Sequence, residues 1–191
     1  MDKKKKGVNM KKLIFLIFVV LVIAYTVLFP NEVVEKKIQV TEGEKLEVNL
    51  KSGGAIMVTG WDKNVALVKI LLKNGKKEKW DFKVRKTDSG VKVESRFIEK
   101  SGKSPGLEVF VPEKFDLELK TMGGKIVLRN IDGDISGRTM GGELDLEKLK
   151  GEINLKTMGG DITLKDSDID GKVKTFGGRV LLENVVGDIK G

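Results

Sequence analysis

Apolar and polar residues alternate in short runs along this chain, and from Leu117 onward the runs return on a fixed period. Ile126, Leu144, Ile162 and Val180 hold one position of an 18-residue repeat, and Leu128, Leu146, Leu164 and Leu182 hold the position two further on. Within Gly159–Lys165 the apolar residues fall two apart, the spacing of one face of a strand, whereas a helical stripe needs steps of three and four. Each repeat also carries Thr-(Met/Phe)-Gly-Gly, at Thr121, Thr139, Thr157 and Thr175. Paired glycines at that frequency break helices and suit corners. Gly141–Glu147 is echoed by Gly151–Lys156, so each unit divides into two short strands and two turns. Stacked units would place equivalent residues about 4.8 Å apart and turn the apolar columns into ladders. The pattern therefore predicts an all-β fold, a parallel β-solenoid (β-helix-like) with 18-residue coils. In the third unit Ser167 stands in the column of Ile131, Leu149 and Val185, and Ile169 in that of Gly133, Gly151 and Gly187; this reads as a longer turn offset by a shorter strand.

Upstream, Leu46–Leu50 alternates as a strand, and Ser52–Val58 looks like a degenerate first copy of the glycine-pair unit. Val65–Leu72, Lys79–Lys86, Gly90–Phe97 and Leu107–Val111 also read as strands, each with one buried face, that extend and cap the start of the array. Trp80, Phe82 and Val84 alternate with polar residues, as do Val91 and Val93. Glu99–Pro105 is expected to be a loop. At the far end Val180, Leu182, Val185 and Ile189 still lie on inward columns. An open end exposes strand edges and core, so these four are the candidate interaction residues, docking on a second copy or on a partner protein. In the alternative reading the last turn folds over itself and Lys190 with the terminal carboxylate blocks the edge.

Leu13–Phe29 is an uncharged run of 17 residues closed by Pro30. As a helix it spans roughly 25 Å, at the short end of what crosses a bilayer core. No Ala-x-Ala cleavage pattern follows, so the run reads as an uncleaved anchor. Six lysines precede it, while Glu32 and Glu35 follow. That asymmetry keeps the amino terminus in the cytoplasm. The expected organisation is a basic cytoplasmic flank at 1–12, a transmembrane helix at 13–29 contacting the lipid bilayer, a linker at 30–37 and an extracytoplasmic adhesin-like β domain at 38–191, making a single-pass protein of the cell membrane. Most of the formal net charge of +8 sits in residues 1–12, and the remainder is nearly balanced. A basic patch interleaved with aromatics is therefore missing and nucleic acid is not an expected partner. Without cysteine the fold has no disulfide and the chain no lipid-modified cysteine.

With neither histidine nor cysteine in the chain, the usual imidazole base, thiolate nucleophile and common zinc ligands are absent. Carboxylate pairs such as Asp132 with Asp134 remain as the material for a hydrolase, but acidic residues at turns and outward strand positions are ordinary solvated charge, so no catalytic residues are assigned. Asp166, Asp168 and Asp170, followed by Gly171, match the opening of a calcium loop. The match ends there, because Gly177 stands where the bidentate glutamate belongs, and aspartate with glycine is also common turn chemistry. Calcium is the one cofactor the sequence suggests. The outward column Lys125, Glu143, Asp161, Arg179 has mixed sign and reads as a polar ladder on a solvated face. Tyr25 lies in the apolar run and Trp80 alternates inward, so the β part lacks the aromatic platforms that commonly hold carbohydrate.

Leu107–Pro112, then Leu117–Ile126 (LELKTMGGKI), the repeated Gly-x-Ile/Leu/Val steps and the earlier Ser52-Gly-Gly-Ala-Ile resemble a bacterial family of cell-envelope β-strand-repeat proteins labelled putative adhesins. The resemblance covers residues 38–191. It implies a right-handed β-helix-like solenoid, placement outside the cytoplasm and a non-enzymatic role, and some relatives resemble accessory membrane proteins of envelope-stress signalling. Three functions follow as expectations. The first is a binding or scaffolding module that grips a cell-wall polymer along a repeating surface. The second is an accessory protein that binds a neighbouring envelope protein, and the third is a carboxylate hydrolase.

Overall fold

A computed structural model describes residues 32–51, 53–72, 80–97 and 105–191, with the side chains of Glu32, Trp80, Arg96 and Phe97 left aside. The anchor expected at 13–29 and its flank at 1–12 lie outside the described residues, as does nearly all of the loop expected at 99–105. Among the described residues no helix is long and apolar enough to cross a membrane. The described residues form fourteen strands in order: β1 Glu32–Gln39, β2 Lys45–Leu50, β3 Ile56–Trp61, β4 Val65–Leu72, β5 Trp80–Thr87, β6 Gly90–Phe97, β7 Gly106–Pro112, β8 Asp116–Thr121, β9 Ile126–Asp132, β10 Ile135–Thr139, β11 Leu144–Thr157, β12 Ile162–Thr175, β13 Val180–Val186 and β14 Ile189–Lys190.

The all-β expectation holds, but the solenoid does not. All fourteen strands form one mixed sheet, in the order β1-β4-β7-β3-β9-β11-β10-β8-β2-β6-β5 with β12 to β14 added beyond β11, and it curls into a nearly closed, barrel-like form. The pairs β1–β4, β4–β7 and β5–β6 are antiparallel, which stacked coils of one parallel solenoid cannot supply. The 18-residue repeat is strict only in the later strands; among the earlier ones β2 pairs in parallel with β6 and β8, and β3 with β7 and β9, while β4 lies antiparallel to β1 and β7, and β5 to β6. Residues read as a linker belong to β1, because Val34 and Ile38 have an apolar floor to pack on once β4 lies beside them. The seam falls between the two sheet ends. There the Lys36 ammonium donates to the Val84 carbonyl, over a groove of about 530 Å³ lined by Val34, Ile70, Leu72, Phe82 and Val84.

Within the sheet, repeats are paired in parallel at the expected interval, as Leu144↔Ile126, Leu144↔Ile162 and Ile162↔Val180. The glycine pair at Gly53–Gly54 is likewise a first copy, since Ile56 pairs with Ile126. The long strands β11 and β12 cross from one arm of the sheet to the other. Their first halves continue the arm that contains β3 and β9, and their second halves the arm that contains β8 and β10. The bend between arms lies at Asn130, Lys148, Asp166 and Asn184, all left-handed, with φ of 56°, 56°, 48° and 53°. One residue in that conformation shifts the alternation, so the inward positions run Leu146 and then Leu149 rather than every second residue. Between the arms lies one core, with Ile126, Leu128, Leu144, Leu146, Ile162 and Leu164 facing Leu117, Leu119, Ile135, Ile153, Leu155 and Val173. In the third repeat β12 runs unbroken, so the expected shorter strand is corrected. The repeat exchanges Gly151-x-Ile153 for Ile169-x-Gly171, and the isoleucine still fills the core from two residues earlier.

At the other corner the threonine and the second glycine lock adjacent repeats together. The Thr157 hydroxyl donates to the Gly142 carbonyl at 2.7 Å and accepts from the Gly160 amide at 3.2 Å. Thr139 and Thr175 do the same with their own glycines. The two glycine columns, alike in sequence, differ in space. A Cβ on Gly160 would stand 2.2 Å from the Gly142 carbonyl oxygen, whereas one on Gly159 meets nothing within 4 Å. Gly160→Ala is therefore expected to unfold the chain at markedly lower urea than Gly159→Ala. Thr157→Val, which keeps the shape but strands a carbonyl and an amide, should cost about 1–3 kcal/mol. Urea melting monitored by circular dichroism measures all three.

Candidate functional site

The outer surfaces of the two arms carry charge in different ways. On the arm of β9 and the first halves of β11 and β12, both signs share the outward columns and pair: Arg129, Glu147, Lys165 and Glu183 alternate, and Lys125, Glu143, Asp161 and Arg179 place a cation beside each anion. Lys125 lies 3.7 Å from Glu143 and Arg179 lies 2.9 Å from Asp161, which makes the expected polar ladder. Beside it Arg129 meets Glu147 at 3.2 Å and Lys165 meets Glu183 at 2.6 Å, and Asp145 receives Lys125 and Arg129 at 2.8 Å each. This surface neutralises itself.

The outer surface of the other arm is banded. The strand register aligns Lys120, Arg138, Lys156 and Lys174 in one column, Glu118, Ser136, Asn154 and Lys172 in the next, and Asp116, Asp134, Glu152 and Asp170 in the one beyond. On the other side of the basic column stand Met122, Met140, Met158 and Phe176, all exposed. Four bands thus run across the strands: acidic, mixed, basic and apolar. The acidic band has a structural use, because Asp116 accepts the Asp134 amide at 2.9 Å and Asp170 accepts the Asp188 amide at 2.7 Å. In the basic band Lys120 pairs with Glu118 at 2.5 Å and holds that carboxyl below its usual range. Among the described residues Arg138, Lys156 and Lys174 have no carboxylate within ion-pair distance, and Lys174 instead covers the Phe176 ring at 4.5 Å. Like charges on facing strand positions repel. Neutral residues would fold this arm at lower electrostatic cost, so the basic band is the strongest candidate for a binding surface. Sequence reading weighed the mixed column beginning at Lys125 and passed over the one beginning at Lys120, although the same period displays both.

The calcium candidates are not brought together. Asp166 sits at the left-handed bend and accepts from the Asn184 amide group at 2.9 Å, while Asp170 is engaged by Asp188. Asp168 and Asp170 line a shallow cleft with Lys150 and Glu152, and Asp166 is not part of it. The stretch is extended strand rather than a loop, which spreads alternate carboxylates along its length, and no three carboxylates converge on a metal position among the described residues. Asp134 lines a cleft with Lys45, Asp116 and Glu152 that does not include Asp132, so that pair faces no common substrate position there. The predicted interaction residues lie on the outermost strands. Val180 and Leu182 are 41% and 45% exposed, Val185 and Ile189 are half-buried, and Leu181 and Val186 add to the apolar surface.

No family model matches the chain, nor does any curated protein. Several solved structures are similar to the chain. A putative cell adhesion protein from Clostridium sporogenes shares 16% identity over 83% of this chain and 98% of its own, with a TM-score of 0.39. A putative adhesin from Bacteroides fragilis shares 13% over 83% and 96%, with a TM-score of 0.34. A putative lipid binding protein from Parabacteroides distasonis shares 9% over 83% and 97%, with a TM-score of 0.29. These neighbours are described as adhesion or lipid-binding proteins rather than enzymes. Their identities and TM-scores are too low for any role to pass from them to this chain.

The paired arm should show its electrostatics in pH melts. Burial raises the Asp145 carboxyl, but hydrogen bonds from Lys125 and Arg129 outweigh it and hold the group below its ordinary value. A depressed carboxylate stabilises the fold above its unfolded pKa, and the stabilisation is lost as pH falls through the lower folded value. The Glu183 carboxylate raises the Lys165 ammonium, whose contribution is complete below its unfolded pKa and lost as pH climbs past the raised one. Thermal melts of wild type should therefore fall at both extremes. Asp145→Asn should flatten the acid limb and Lys165→Met the alkaline limb.

Proposed function

We propose that this protein is a non-catalytic, adhesin-like contact module of the cell envelope, held by residues 13–29 as a single-pass membrane protein with the β unit outside the cytoplasm, and that the banded face holds an extended, negatively charged partner such as an anionic cell-wall polymer. The observation that carries the reading is the basic column Lys120, Arg138, Lys156, Lys174, kept in register at every repeat while the opposite arm pairs each charge with its opposite. Facing strand positions are about 4.8 Å apart, so cations recur along the face and suit a ligand whose charges also recur. The lack of histidine and cysteine, and the use of acidic groups as backbone acceptors, favour binding over turnover.

Arg138→Glu with Lys156→Glu is expected to lower retention of the protein on isolated envelope material by at least about tenfold at low salt, with 0.5 M salt releasing the wild type. The same reversal at Lys37 and Lys148, both exposed elsewhere on the sheet, should change retention little. Equal retention of the double variant and the wild type in pull-down would remove the reading.

A second reading, an accessory module that pairs with another copy or with an envelope protein, is favoured by the exposed apolar row on β13. Such a row beside a strand edge templates further pairing. Sedimentation in detergent should then show an associated species that Leu181→Lys disperses, whereas a strict monomer at high concentration would remove self-association.

A further inference from the structure

We propose that the apolar edge of the banded face docks on a bilayer surface rich in anionic lipid, with Met122, Met140, Met158 and Phe176 entering the interface and Arg138, Lys156 and Lys174 meeting the headgroups. The proposal rests on the reading of the banded face as a contact surface for anions and adds anionic lipid as a partner of the ridge beside it. The four apolar side chains are 59%, 47%, 46% and 61% exposed, and they stand one above another on paired repeats. Each follows a threonine whose hydroxyl is tied inward and precedes the glycine pair at which the chain leaves one arm for the other. The column is therefore a ridge on a convex corner.

The basic band alone can carry an extended polyanion, but that leaves the apolar ridge beside it unused; the ridge is convex, offers no groove for a helix, and can press into a plane. The cations begin two residues earlier on the same side of each strand, roughly 7 Å from the ridge, and the acidic column lies about 20 Å from it. An edge-on approach thus brings the ridge and the basic band to the surface together and keeps the acidic band away. Apolar tips flanked by lysine and arginine are the composition of interfacial binding, and anionic lipid attracts such cations within a Debye length. Methionine, unbranched and flexible, adapts to a fluid boundary. Lys174 over the Phe176 ring shows the two columns already in contact.

The chain has no cysteine, so one can be introduced as a single reporter in the full protein. Met158→Cys, carrying an environment-sensitive fluorophore, is reconstituted in phosphatidylcholine vesicles with and without phosphatidylglycerol, using lipids that bear a quencher in the acyl chain. Thr163→Cys, on the outer surface of the other arm, is the control. Quenching at position 158 should be severalfold stronger with phosphatidylglycerol, absent at 163, and returned by Arg138→Glu with Lys156→Glu to the level in phosphatidylcholine alone. These side chains are exposed, so unchanged circular dichroism should accompany the loss. No quenching at 158 with phosphatidylglycerol, or equal quenching in both lipids, overturns the proposal. If soluble polyphosphate then perturbs the fluorophore in a manner that depends on Arg138 and Lys156, the banded face remains a polyanion surface and only the bilayer is wrong. If it does not, both readings fall.

Discussion

Everything periodic in this structure depends on the stitch between a threonine hydroxyl and two glycines. Each inward threonine accepts an amide from its own repeat and donates to a carbonyl of the repeat before it, so one buried hydroxyl satisfies a donor and an acceptor that the corner would otherwise strand. The second glycine is obligatory because the neighbouring carbonyl occupies the space of its Cβ. Together they set the register, and the register places every other column. A net hydrogen bond contributes only about 1 kcal/mol, but leaving its partners buried and unpaired costs more. The geometry therefore repeats with little variation from Thr139 to Thr175, while at Thr121 the amide comes from the first glycine, Gly123, instead of the second.

Once the register is set, surface electrostatics follow from which residues the columns hold. On one arm opposite signs share the columns and make ion pairs across the strands. On the other, like charges share a column and the carboxylates that could balance the cations face backbone amides some distance along the strands. A surface selected only for solubility has no need of such separation, since interspersed signs are cheaper. The apolar corner column adds a second cost beside the first. Two unfavourable features kept side by side through successive repeats mark a surface made for contact with something outside the fold.

The inward columns, the strand periodicity, the glycine corners and the first degenerate copy at Gly53–Gly54 were legible from spacing alone, because burial and backbone sterics act locally on every repeat. The basic column was equally legible to anyone who read it down the period. The antiparallel pairings of β1 with β4 and of β5 with β6 were not, since Val34, Phe82 and Val84 alternate identically whichever strand lies beside them. Nor were the left-handed bends at Asn130, Lys148, Asp166 and Asn184, where three residue types adopt one conformation because the arms must turn there.

By itself, then, the sequence determined the strands, their 18-residue register and which side of each strand is apolar, all consequences of local periodicity and of hydrophobic burial. Only the tertiary structure decided that the sheet is mixed and curls nearly closed. The same is true of the separation of Asp166 from Asp168 and Asp170, and of the methionine column's place on an outer ridge instead of in the core. Those outcomes depend on which distant strand edge satisfies which backbone groups, and that is not encoded in the spacing of apolar residues along one strand.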